Sequence, residues 1–205
     1  MEMLIKEDGM EDRMLVVKAL LESYPFIEDM KRALAVQSEQ LASSGFYAIF
    51  PNEQMRIYEK LIRNGMRKGV LDRMKRWIDF AFFEGDSPAL SLLKERYIHG
   101  APMSEVMNKY GVSLRTCYRY VKRGLAALTS LLEKHGVDKR RILTECGDES
   151  LFSMMLNKVI EEDDEEKSLS DRQDGRVEKG HGQSINNRHS NRLHHGSNGG
   201  HRYYA

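Results

Sequence analysis

Arg115, Arg119 and Lys122 follow one another at intervals of four and three residues, with Tyr118 between them. On a helix that spacing stacks all four on one face, with Thr116 and Arg123 along its edge. Arginines on successive turns can offer paired hydrogen bonds to guanine. Lysine supplies a compact charge for phosphate, and tyrosine or threonine can touch a thymine methyl group or the sugar–phosphate chain. The same helix would begin at Ser113 and Leu114, where free backbone N–H groups favour an anion. Arg115 and Arg119 are therefore candidates for reading bases, and Lys122 and Arg123 for holding phosphates. Ser113, Leu114, Thr116 and Tyr118 complete the candidate DNA-binding set.

Such a face needs a support. Ahead of it, the stretch from Ala101 reads as a short helix, and Gly111 stands where the chain must turn sharply, a place where glycine tolerates the left-handed conformation. Ser113 is placed to cap the next helix. Val106, Tyr110, Val112, Cys117, Tyr120 and Leu125 are expected to pin the two helices together, completed by Leu90, Leu93 and Tyr97 of a preceding helix. Helix, glycine turn and cation-rich helix make a helix-turn-helix, whose second helix lies in the DNA major groove in proteins built that way.

Leu92-Leu93-Lys94-Glu95-Arg96-Tyr97-Ile98-His99-Gly100, followed by Met103-Ser104-Glu105-Val106-Met107-Asn108-Lys109-Tyr110-Gly111-Val112-Ser113, resembles region four of bacterial sigma factors. The resemblance covers about residues 89–132. It implies three helices, a "GVS" turn, and promoter contacts at Arg115, Thr116, Tyr118, Arg119 and Lys122. Where Arg115 stands that family often has an acidic residue, and no sigma region two is recognisable in the first ninety residues. In length and layout the chain is more similar to small phage and mobile-element regulators that carry such a motif behind a helical N-terminal segment.

Apolar residues recur at three and four along the rest of the ordered chain, and alternating β-branched runs are missing, so the expected fold class is all-α. Residues 1–86 read as a helical region for oligomerisation or polymerase contact. Its expected helices cover Glu11–Leu21, a stretch from Pro25 to Leu41, a third beginning at Pro51 and broken near Gly65 and Gly69, and a fourth over Val70–Phe83. Met55, Ile57, Tyr58, Leu61 and Ile62 are taken as apolar members of the third, and Trp77, Phe80, Phe82 and Phe83 as core. Residues 87–136 read as the DNA-binding domain, opened by Ser87 as cap and Pro88 in the first turn. Residues 137–160 read as a weakly helical linker. Residues 161–205 read as a disordered tail, acidic and then rich in His, Asn and Gly, because it holds too little apolar area to offset its ordering entropy.

The 205 residues carry a formal net charge of +1, unevenly placed. Ser91–Arg141 holds eleven Lys or Arg against four Asp or Glu, a net of +7. Ile142–Glu166 holds one against nine, a net of −8. The acidic run Glu161–Glu166 is thus a candidate competitor with DNA for the basic helix.

Cys117 and Cys146 have no metal-ligand spacing, and His181, His189, His194, His195 and His201 are irregularly placed. There is no phosphate-binding glycine loop and no nucleophile elbow. Neither metal, cofactor nor enzymatic activity is expected. No leader or membrane-spanning run is visible, which places the expected protein in the cytoplasm, away from membranes. The sequence thus predicts a transcription regulator that binds double-stranded DNA and engages RNA polymerase or a second copy of itself as a homodimer. The alternative is a phage packaging adaptor of the terminase small-subunit kind.

Overall fold

A computed structural model describes residues 9–45 and 50–177, and every regular element among them is a helix. In chain order these are α1 (Met10–Gly45), α2 (Pro51–Glu84), α3 (Pro88–Tyr97), α4 (Met103–Tyr110), α5 (Leu114–Lys134), α6 (Lys139–Cys146) and α7 (Ser150–Val177). The chain divides into a unit Met1–Asp164 and a unit Glu165–Ala205. Within the second, α7 continues to Val177, and the Ser168 hydroxyl donates to the Glu165 carbonyl at 2.9 Å. No helix among the described residues is long and apolar enough to cross a membrane.

The all-α expectation holds, but several boundaries move. Two expected helices are one 36-residue α1, which passes through Pro25. Proline removes a backbone hydrogen bond and costs about 3 kcal/mol inside a helix. Here Pro25 lies on the exposed side, while Leu20 and Leu21 before it and Ile27 after it are fully buried. Burial on both flanks outweighs the local penalty. α2 likewise runs unbroken across Gly65 and Gly69.

α1 and α2 form an antiparallel hairpin whose cross-links step down its length. Tyr24 donates to Asp79 at 2.6 Å, Lys31 pairs with Asp72 at 2.7 Å, and Asn64 donates to Gln37 at 3.1 Å and Ser38 at 3.2 Å. Only the half of the hairpin nearest the other helices is well buried. Beyond Leu34 on α1 and ahead of Asn64 on α2 no described residue is buried.

The principal core is built from that inner half, with α3, the C-terminal half of α5, α6 and the start of α7. Leu20, Leu21, Leu71, Met74, Ile78, Leu93, Leu128, Ile142 and Phe152 lie fully inside. The stretch 137–160 is therefore part of the core. It contains α6, capped by the Asp138 carboxylate accepting from the Arg141 N–H at 2.7 Å, and Leu151, Phe152, Leu156 and Val159 of α7. Its apolar residues look sparse in sequence because they complete a pocket that other helices have mostly filled. Glu149, with 1% side-chain exposure, accepts from Arg67 at 2.8 and 3.1 Å, tying the start of α7 to α2. α7 also continues past Glu161, where disorder was expected. The remaining tail, with its histidines, lies outside the described residues.

One further expectation changes. Trp77 and Phe82 pack against the core, but Phe80 is 45% and Phe83 90% exposed. Met55, Tyr58 and Ile62 lie on the solvent side of α2.

Gly124 sits where α5 crosses α3. A Cβ there would be 2.7 Å from the Ala89 carbonyl oxygen and 3.4 Å from the Leu93 Cβ. Backbone cannot yield as a flexible side chain can, so Gly124→Ala should destabilise by about 1–3 kcal/mol in urea unfolding, although alanine is the better helix former by about 1 kcal/mol. Burial pushes the Cys146 thiol from 9.0 up to about 12, so only its protonated form suits the fold. That contribution to stability is complete below pH 9 and is lost as the pH rises toward 12. At pH 8, Cys146 should resist alkylation in the native protein and react fully once urea unfolds it.

Candidate nucleic-acid interface

α4 and α5 are joined by a turn closed by backbone hydrogen bonds. Gly111 adopts φ 62 and ψ 34, the left-handed region, and its N–H donates to the Met107 carbonyl. The Val112 N–H reaches the same carbonyl at 3.2 Å, so the bond of an αL cap and the longer-range bond of a Schellman motif converge on Met107 and end the helix at glycine. Ser113 then caps α5, accepting from the Thr116 N–H at 3.3 Å, and its hydroxyl lies 3.0 Å from that of Thr116.

A separate small core holds this turn. Leu92, Val106 and Cys117 are buried together, with Met107, Tyr110, Val112, Tyr120 and Val121 packed around them. The sequence reading correctly gathers Val106, Tyr110, Val112, Cys117 and Tyr120. It misassigns Leu90, Leu93, Tyr97 and Leu125, which join the principal core. Leu92 is the α3 residue that reaches the turn. α3 therefore has two apolar faces, one toward each core, and neighbouring leucines at 92 and 93 point to different ones. Around the turn, Lys109 pairs with Glu95, which holds the Glu95 carboxyl below and the lysine above their ordinary values. Arg96 donates to the Ala101 carbonyl at 3.2 Å, bracing the loop before α4. Burial raises the Tyr97 hydroxyl to about 12.

With Cys117, Gly124, Leu125 and Leu128 turned inward, the opposite face of α5 carries Arg115, Tyr118, Arg119, Lys122 and Arg123, all exposed. Tyr118 is 58% exposed and the Lys122 side chain 72%. Leu114, 46% exposed, stands at the head of that face. Ser113 and Thr116 belong to the capping turn, so their side chains shape the start of α5 before they could touch any ligand.

This face, like the exposed Arg56, Lys60 and Arg63 on the outer part of α2, has almost no ion pairs among the described residues. Through the bundle, cations meet acids: Arg13 with Glu133, Lys18 with Glu162, Arg73 with Glu145, Lys134 with Glu84 and Lys158 with Glu22. Among the described residues Arg115, Arg119 and Arg123 have no ion pair. Lys122 has a single exposed contact, at 3.4 Å to Glu11 in the first turn of α1. No local signal in the sequence could have revealed Glu11, which is 111 positions away. Glu162, from the acidic run, is engaged by Lys18 at 2.8 Å and Lys158 at 3.6 Å.

What fold and site define is an all-helical protein with a helix-turn-helix-like unit on a helical support. No family model, no curated protein and no solved structure matches this chain.

The turn has its own stability signature. Replacing Leu92 by alanine removes the α3 contribution to the small core and should cost about 2–5 kcal/mol. Amide hydrogen exchange should accelerate across α4 and the first turns of α5 more than at Leu128. Ser113→Ala should cost about 1 kcal/mol, the usual loss of an N-cap, with exchange faster only at the head of α5.

Proposed function

We propose that this protein is a sequence-specific DNA-binding transcription regulator that presents the N-terminal half of α5 to the major groove. The observation that carries the reading is the row Arg115–Arg119–Lys122 with Arg123 beside it, exposed on one face of a capped, core-anchored helix and almost without acidic partners. A cationic face that serves only solubility is commonly interleaved with acids. An unneutralised row repels itself and gains most from an anionic partner.

Phosphates supply the bulk of such binding by releasing counterions, and base edges supply the choice of site. Arg115 and Arg119 are one turn apart near the head of the helix, the part that reaches base edges in helix-turn-helix proteins. Lys122 and Arg123 lie further along, where a groove-bound helix meets the backbone. Contact of the N-terminal helices with RNA polymerase belongs to the same reading. A packaging adaptor would use the same face as a large ring.

Selection of bound duplexes from a random pool should yield a defined motif. Arg119→Ala should then weaken cognate binding by about 1–3 kcal/mol with little effect on random duplex. Lys122→Ala should weaken both alike and reduce the salt slope by about one. Recovery of no motif, together with wild-type affinity in a quadruple Ala variant at 115, 119, 122 and 123, would refute the assignment.

A further inference from the structure

The outer half of the α1–α2 hairpin leaves an apolar row without a cover. Met55, Tyr58, Ile62 and Met66 recur at three, four and four residues along α2, and are 60%, 60%, 64% and 68% exposed. They lie on the side of α2 opposite its buried Leu71 and Met74, so α1 cannot reach them. At roughly 200 Å² per large side chain, the row exposes about 500 Å² on each copy. That is the size of the largest apolar patch on a typical monomer, which is often functional. Two such rows facing each other bury about 1,000 Å², the size at which a specific interface begins.

We propose that this row pairs antiparallel with the same row of a second copy of the chain. Charge complementarity selects both the occupant and the direction. Glu59 and Arg63 flank the row on one side, are exposed, and have no ion pair among the described residues. With a two-fold axis near residues 60–61, Met55 of one copy meets Met66 of the other, and Tyr58 and Ile62 fill the centre. Glu59 of each copy then lies beside Arg63 of its mate, giving two reciprocal ion pairs. A parallel arrangement would put this flank on opposite sides of the seam in the two copies, and neither Glu59 nor Arg63 would meet its complement. The pairing rests on α2 alone and stands apart from any role of α5.

Sedimentation of the full chain over a range of concentrations tests it. Wild type should be a dimer. Ile62→Lys, at a solvent-facing position, should sediment as a monomer with its circular dichroism unchanged and its melting no longer dependent on protein concentration. Glu59→Lys and Arg63→Glu should each weaken the dimer about tenfold or more, and the two together should restore it to within about threefold of wild type. A wild type that stays monomeric, leaving the row to an unrelated protein, overturns the proposal, as does a dimer indifferent to Ile62→Lys. Failure of the double exchange to recover affinity overturns it too, because the antiparallel register depends on those pairs.

Discussion

The whole arrangement depends on how closely α5 can approach α3. At Gly124 the helix backbone comes near enough to the Ala89 carbonyl that a single methyl group would collide with it. This contact lets one straight helix serve two cores. Its first turns carry Cys117 into the small cluster beneath the turn, and its later turns carry Leu125, Leu128 and Leu132 into the principal core. A 21-residue helix is about 31 Å long, so the outward cations are displayed on a rod whose far end is anchored in the body of the protein. The presented face is thereby fixed in orientation before any partner arrives, which spares binding part of its ordering cost.

Electrostatics divides the surface in the same way as packing. Across the bundle, acids and bases meet between helices, and the Arg67–Glu149 pair even draws a carboxylate under cover. The N-terminal half of α5 escapes this compensation. Three acidic residues that follow in sequence are committed elsewhere, Glu145 on Arg73, Glu149 on Arg67 and Glu162 on Lys18. The strongly charged blocks seen along the chain therefore do not neutralise each other as neighbours. Glu145, Glu149 and Glu162 of the negative block pair with none of the cations on the α5 face.

Local signals were legible where a single residue type decides the backbone. Ser87 before Pro88, Gly111 in the left-handed region, Ser113 at the head of α5 and Gly136 at its end all do what their chemistry suggests. Periodicity was legible where one face is buried, as for Val106, Tyr110 and Cys117. It misled where a helix has two faces to satisfy. Leu92 and Leu93 look interchangeable in sequence yet enter different cores, and Met55, Tyr58 and Ile62 follow a buried spacing while facing solvent. Pro25 and the glycines at 65 and 69 looked like helix ends because their local penalties are real. Pro25 does not end its helix because packing on either side is worth more; the glycines cost only about 1 kcal/mol each, and α2 runs through both.

From the residues alone came the all-helical class, the caps and the turn, and the choice of Arg115, Arg119, Lys122 and Arg123 as a shared outward face. These are short-range matters, settled by backbone freedom and by the 3.6-residue repeat. The merging of four expected helices into a two-helix hairpin, the recruitment of 137–160 into the core and the approach of Glu11 to Lys122 were decided only by the tertiary structure. Each compares a local cost with burial or charge contributed by residues far away in the chain, and that comparison has no value until the helices are packed.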